Sequence, residues 1–471
     1  MSAPSLDLLV ERALSVRQDE DRWTAALAGL DVEAPRPRDP APFLAAWPKA
    51  EGPVRTLLAE AALLAGTARP RRAERTLRAT PLPRLGVRRD GAMRGLRLEG
   101  DAARRSAIHE ALGQAEDAGR PAAVEVVRSL RAGLGALGQG TTFEAIGWGH
   151  LGLRATAEAV LAATEDPWRE LARHRGRVVL GRIPGTLADL AALLRAPAAD
   201  RALPLADRAG IASRWATKAG LALPSVGPLP PPSADGPPPR AVVPDAAQRL
   251  RIVFAPAPDA HGVLELAELV GALLAAPEAA RDPSITAHRL GATRLAVPLG
   301  GTLARRLLLA PSFLVREAGV DRSVAPACLR ELLFVELVRL REAAMQGLAL
   351  ALSLDREGGL GERIADLFAR ALGVPLAPAR APQHVAEAFE DAAPARLEAA
   401  LAEAALEARL VAEHDEDWFR NPRAGSAIER GFVLAGALGT AEGASDAGEA
   451  LAARRAELDA RLRRWWRDAG A

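Results

Sequence analysis

The sequence predicts a mainly α-helical protein, and three observations carry that prediction. Ala, Leu and Arg dominate the 471 residues, and all three are strong helix formers. Aromatic residues make up only 4% and tyrosine is absent, so the side chains that favour sheets are scarce. Apolar residues recur at spacings of three and four over long stretches, with Gly and Pro at the ends. At 49% apolar and 25% charged, the chain has the composition of a globular protein long enough to bury a sizeable core.

Residues 1–88 read as an N-terminal region of helical hairpins. Ser5 precedes Leu8, Leu9 and Ala13 at helical spacing, the four prolines between Ala34 and Pro42 break the pattern, and a second pair follows at Val54–Ala68 and Arg72–Arg78. Residues 89–223 form a helical lobe, with apolar stripes over Ala122–Leu137, Ala155–Leu171 and Leu187–Leu194. No fixed period runs through these stretches, which argues against a regular solenoid. Residues 224–248 are read as a linker, because Leu223–Pro239 holds eight prolines and cannot be helical. In Arg249–Pro256, Leu250, Ile252 and Phe254 alternate with Arg251, Val253 and Ala255, which predicts a strand and a small sheet near residues 240–256. Residues 249–471 continue as helices over Gly262–Ala276, Ala325–Leu352, Gly361–Leu372, Val385–His414 and Glu449–Trp466. Trp465 and Trp466 are expected to dock the last of these onto the body.

Several function classes are disfavoured. The net charge is +2, lysine occurs only at Lys49 and Lys218, and the basic clusters are short, so no nucleic-acid partner is expected. The single cysteine, Cys328, rules out an intramolecular disulfide and a cysteine-based zinc site. It lies among Ala325, Leu329 and Leu332, where a buried structural thiol is expected. MSAPSLDLLVERAL lacks the basic start and apolar core of a signal peptide, and Leu307–Leu309 is too short to span a bilayer. The expectation is a cytoplasmic protein without a membrane partner. Gly133–Gly138 spells a dinucleotide fingerprint, but the residues before it are helical, and a loop between helices is expected. His109, His150, His174, His288, His384 and His414 read as packed or surface histidines; His109-Glu110 is followed by Gly113 where a metal motif needs a second histidine.

The order of Pro237–Pro244 (PPPRAVVP), the strand at Arg249–Pro256 and the helix from Gly262 resembles the core of oligoendopeptidase F-like and thimet-oligopeptidase-like zinc peptidases. In that family the helix carries Leu-His-Glu-x-Gly-His-Ala-Leu-His. The matching stretch here is Leu266-Ala267-Glu268-Leu269-Val270-Gly271-Ala272-Leu273-Leu274. Leu307–Leu314, Glu336–Leu352, His414–Gly425, Leu161–Leu171 and Leu203–Leu223 also resemble family segments. The resemblance spans about residues 90–440. It implies two helical lobes around a channel.

It also implies that the chemistry is lost. Ala267 and Gly271 stand at the two histidine positions, and the third ligand falls near Val297 or Pro298. A catalytic zinc needs three protein ligands, and none of these side chains offers a lone pair. Glu268 remains as the counterpart of the water-activating glutamate. Gly271 also costs its helix up to about 1 kcal/mol relative to alanine. No cofactor is therefore expected, although relatives hold zinc. The leading expectation is a pseudopeptidase whose groove holds a peptide or partner protein, an intact paralogue included. Arg251, Val253 and Glu268 are its contact residues. Two alternatives stand beside it. In one, the groove is filled by Leu269, Val270, Leu273 and Leu274 and the chain is a helical scaffold. In the other, a relocated metal sits on His261, Glu265 and Glu268, which share a helix face at i, i+4 and i+7.

Overall fold

The computed structural model describes residues 6–438 apart from 51, 83–84, 86, 139–152, 225–227, 243–250, 279–284, 355–358 and 391–392, together with 460 and 463. The predicted helix Glu449–Trp466, with Trp465 and Trp466, lies outside the described residues except for Ala460 and Arg463, and His150 lies outside them too.

The protein is mainly α-helical, and the described residues form one two-stranded sheet. In chain order the helices are α1 (Leu6–Leu27), α2 (Ala41–Ala46), α3 (Gly52–Ala79), α4 (Ala92–Leu98), α5 (Ala102–Leu137), α6 (Leu153–Leu180), α7 (Leu187–Leu193), α8 (Pro197–Ala202) and α9 (Arg208–Lys218). Strands β1 (Arg240–Val242) and β2 (Arg251–Val253) follow. The remaining helices are α10 (Ala260–Glu278), α11 (Ile285–Leu307), α12 (Pro311–Arg316), α13 (Ala325–Ser353), α14 (Leu360–Leu372), α15 (Ala381–Glu390), α16 (Ala393–His414) and α17 (Ala424–Leu438).

Two large apolar cores organise these helices. One gathers α1–α3, the C-terminal half of α5, α6, α14 and α15, through residues such as Leu58, Leu130, Trp168, Phe368 and Phe389. The other gathers α8–α12 and α17, through Trp215, Leu264, Leu303, Phe313 and Phe432. Helix α13 belongs to both: Cys328 and Leu332 sit in the second core, Phe334 and Leu348 in the first. Its 29 residues span about 43 Å at 1.5 Å per residue, long enough to serve as a common axle. Nearly every turn of α13 is buried, so it shows little amphipathic pattern, and its buried charges Glu336 and Arg341 are held by partners from neighbouring helices.

One expectation needs correction. Val54–Ala68 and Arg72–Arg78 are one helix, α3, with Pro70 inside it. Packing overrides the proline: Leu57, Leu58, Ala61 and Leu63 are buried, and Arg71 donates to Thr67 Oγ1 at 3.0 Å, to Leu64 O at 3.1 Å and to Glu20 of α1 at 2.9 Å. The described residues of the proline-rich stretch are non-helical and hydrogen-bonded to the rest of the chain. Arg94 donates to Ser233 O, the Ser233 amide donates to Pro256 O, and the Arg88 amide donates to Asp235. In the N-terminal region, Leu9, Trp47 and Leu58 share a core with residues 334–404.

The sheet is where the sequence placed it, with Arg240 opposite Val253 and Val242 opposite Arg251 in an antiparallel pair. The predicted alternation fails at its end. Phe254 takes a left-handed φ of 65°, which stops the strand. Ile252 and Val253 are both buried, on different sides: Ile252 joins the second core, Val253 a small cluster with Ala25 and Val242. The fingerprint-like Gly133–Gly138 closes α5, with Gly138 as its C-terminal cap and helix rather than strand before it.

Candidate functional site

Helices α10 and α11 pack side by side, and the contact runs along small residues. Ala267, Gly271 and Ala275 recur every fourth residue on α10, as do Ala296, Gly300 and Ala304 on α11. A β-carbon on Gly271 would fall within the van der Waals envelope of the Gly300 carbonyl oxygen and lie 2.8 Å from the Ala304 β-carbon. One on Gly300 would lie 2.9 Å from the Ala275 β-carbon, and one on Gly301 3.0 Å from Glu268 Cγ. Backbone therefore meets backbone at Gly271 and Gly300. This gives glycine at 271 a physical reason: only a residue without a side chain permits the approach. Leu269, Leu273 and Leu274 are buried and Val270 is half-buried, so the faces beside the seam are also filled. Val297 and Pro298 are half-buried in α11, off the stripe of small residues.

Beside the seam, Glu268 is held in an ion-pair cluster. It accepts from Arg305 at 3.1 Å and from Arg339 of α13 at 2.6 Å. Arg305 also donates through Nε to Glu336 at 3.0 Å, and Arg339 lies 3.6 Å from the same carboxylate. Two guanidinium groups and two carboxylates thus alternate across three helices, and the charges cancel. Burial alone would raise the Glu268 pKa, but the charges of Arg339, Arg305 and Arg396 outweigh it and hold the carboxyl at about 2. For Arg305, burial is outweighed by Glu336 and Glu268, and its pKa is raised further. Next to the cluster is a cavity of about 50 Å³ lined by Thr302, Arg306, Arg339, Ala343, Arg396 and Glu403 among others. At about 30 Å³ per water, it has room for one or two waters.

The start of α10 is tied to α4. Arg94 donates twice to Glu265, at 2.8 and 2.9 Å, and Arg97 donates twice to Asp259, at 3.0 and 3.1 Å. Glu265 also accepts from the Ala257 amide at 2.8 Å. Burial raises the Glu265 pKa in spite of Arg94. His261 is buried with Nε2 2.8 Å from Leu194 O, and burial, together with the nearby Arg97 charge, lowers its pKa to about 3. It is therefore neutral at physiological pH, with Nε2–H as donor to the carbonyl.

His261, Glu265 and Glu268 do lie on one helix, but each points to a different partner: Leu194, Arg94, and the Arg305–Arg339 pair. Among the described residues no three His, Cys, Asp or Glu side chains are grouped to hold a metal ion. Of the residues expected to line a groove, Arg251 is exposed, the Glu268 side chain is 38% exposed, and Val253 is only 3% exposed. Val253 cannot contact a ligand without opening the cluster around Ala25 and Val242.

Other singled-out segments do meet. Trp215, in Leu203–Leu223, stacks edge-on with Trp418, in His414–Gly425, at 6.2 Å. Gly220 and Gly425 bring the two backbones together, a β-carbon on either being blocked by a carbonyl of the other segment. Trp168 and Phe334 stack at 5.7 Å, with Arg341 fully buried nearby and bonded to the carbonyl oxygens of Leu161, Arg370 and Ala371. Cys328 is buried, and its thiol is pushed up to about 12 by burial and by Glu331. What sequence reasoning missed is the set of arginines that neutralise α10. Arg94 and Arg97 come from a segment some 170 residues away, and nothing local marks them as its partners. No protein-family model matches the chain, and no curated protein matches it.

Proposed function

We propose that this protein is a non-catalytic helical relative of the oligoendopeptidase-type peptidases, with the catalytic groove filled, and that it acts through protein contacts. The observation that supports this reading is the α10–α11 seam: Gly271 and Gly300 are in backbone contact where a metal and its ligands would need space. Losing the metal removes both the Lewis acid and the activated water, and Glu268, clasped by two arginines, has no reacting group to serve. The alternative in which the groove still holds a peptide draws support from Arg251 and from the exposed edge of Glu268.

Metal analysis and peptide hydrolysis on the purified chain test the proposal. The expected result is no stoichiometric divalent metal, no cleavage, and a melting temperature unchanged by chelator. A stoichiometric metal that is lost on His261→Ala or Glu265→Gln would overturn it in favour of a relocated hydrolytic site.

A further inference from the structure

The most exposed apolar side chains of the described residues lie together at the end of α6 and in the turn after it. Val178 is 71% exposed, Ile183 61% and Val179 42%. Isolated exposed aliphatics are ordinary, but a cluster calls for an explanation.

This turn is firmly built. Gly181 ends α6 with φ 70°, its amide donating to Arg177 O at 3.1 Å. The chain then folds back so closely that a β-carbon on Gly176 would sit 2.7 Å from Arg182 O and 2.8 Å from Pro184 Cδ. Arg182 and Asp189 form a two-pronged pair at 2.8 and 2.7 Å. Asp189 also accepts from the Gly185 and Thr186 amides and completes a capping box at the start of α7. The fold therefore fixes Val178 and Ile183 in water, which lowers the entropy lost on docking.

Along residues 171–188 every charged side chain is basic. Between Glu170 and Asp189 there is no acidic residue, while Arg173, His174, Arg177 and Arg182 are all exposed. Asp189 itself is buried and committed to Arg182. No aromatic residue lies between Trp168 and Trp215, so the turn lacks the Trp or Tyr that seats a protein at a lipid headgroup layer.

We propose that the end of α6 and the turn at residues 181–185 form a docking knuckle for a partner protein that presents an acidic segment around an apolar recess. Val178 and Ile183 enter the recess, and Arg173 and Arg177 pair with the flanking carboxylates.

The test is to pan a random peptide display library on the full-length chain, with a Val178→Asp/Ile183→Asp variant as counter-target. Circular dichroism first establishes that the variant is folded. Enriched peptides are expected to combine Asp or Glu with aliphatic residues. They should bind the double variant at least about tenfold more weakly, a change of about 1.4 kcal/mol, and lose affinity with Arg173→Glu/Arg177→Glu and with added salt. Enrichment without acidic residues, equal binding to the variant, or no enrichment overturns the proposal. So does phosphatidylserine-vesicle binding lost in the same variants, which assigns the knuckle to lipid. A dimer that dissociates on Val178→Asp assigns it to a second copy of the chain and is equally fatal.

Discussion

Substituting Gly271 by alanine adds one methyl group at the tightest point between α10 and α11. The new carbon would sit 2.8 Å from the Ala304 β-carbon and closer still to the Gly300 carbonyl. Carbon atoms in contact normally stay about 3.5–4.0 Å apart, so the helices must separate by about 1 Å. Overpacking of this kind costs about 1–3 kcal/mol, and backbone on the far side places Gly271→Ala near the top of that range. Alanine's better helix propensity returns about 1 kcal/mol. The net expectation is a loss of about 2 kcal/mol. Gly135→Ala in α5 supplies the control, because nothing lies within 4 Å of its added carbon; it should gain up to about 1 kcal/mol. Urea denaturation followed by far-UV circular dichroism reads both as shifts of the midpoint in opposite directions. If both variants gain stability, the helices are not in backbone contact and the reasoning about the filled groove fails.

Glu268→Gln leaves Arg305 and Arg339 facing each other without their shared carboxylate. Breaking a buried pair costs about 3–5 kcal/mol, but Glu268 is partly exposed and screened, so a loss of about 1–2 kcal/mol in the urea midpoint is expected; no loss would refute the cluster. Because the Glu268 carboxyl is depressed to about 2, its contribution is present above the unfolded value of about 4.3 and is lost as pH falls toward 2. The variant should lack that part of the acid sensitivity in pH-dependent urea titrations. His261, lowered to about 3, must take up a proton on unfolding below its ordinary value of about 6.5, so it destabilises the fold as pH falls through that window. His384 is raised by Glu387 and Glu116 in spite of its burial; its contribution is present below about 6.5 and is lost as pH rises through the raised value. His261→Gln should flatten the stability profile between about pH 5 and 6.5, and His384→Gln above about 6.5; profiles parallel to wild type would refute both assignments. Cys328, the sole thiol, should resist a disulfide reagent until the chain unfolds, and rapid labelling of the native protein would contradict its burial.

The fold class was legible because helix-forming composition and apolar spacing agree along the chain. The position of the small sheet was legible because Arg251, Ile252 and Val253 follow a run that cannot be helical. Proline was misread at Pro70, where packing prevails and the residue lies inside α3, whereas Pro167 lies inside α6 as the stripe Ala155–Leu171 implied. The buried thiol and the meeting of Trp215 with Trp418 fall within segments singled out in advance. The electrostatics of α10 were not legible. Charge neutralisation at Asp259, Glu265 and Glu268 depends on arginines from α4, α11 and α13, and sequence distance hides such partners. The role of Gly271 was hidden for the same reason, since its constraint comes from Gly300 across the seam.

That seam sets the order in which the protein could be rebuilt. Anyone wishing to install a cation on α10 by grafting imidazoles at 267 and 271 would drive the second ring into the Gly300 carbonyl and the first into a buried position. The first alterations would have to fall on the opposite wall, at Gly300 and Ala304, and move α11 outward before either ring could be accommodated. The Arg305–Glu336 contact on that same helix would resist the shift. The obstacle is the neighbouring helix.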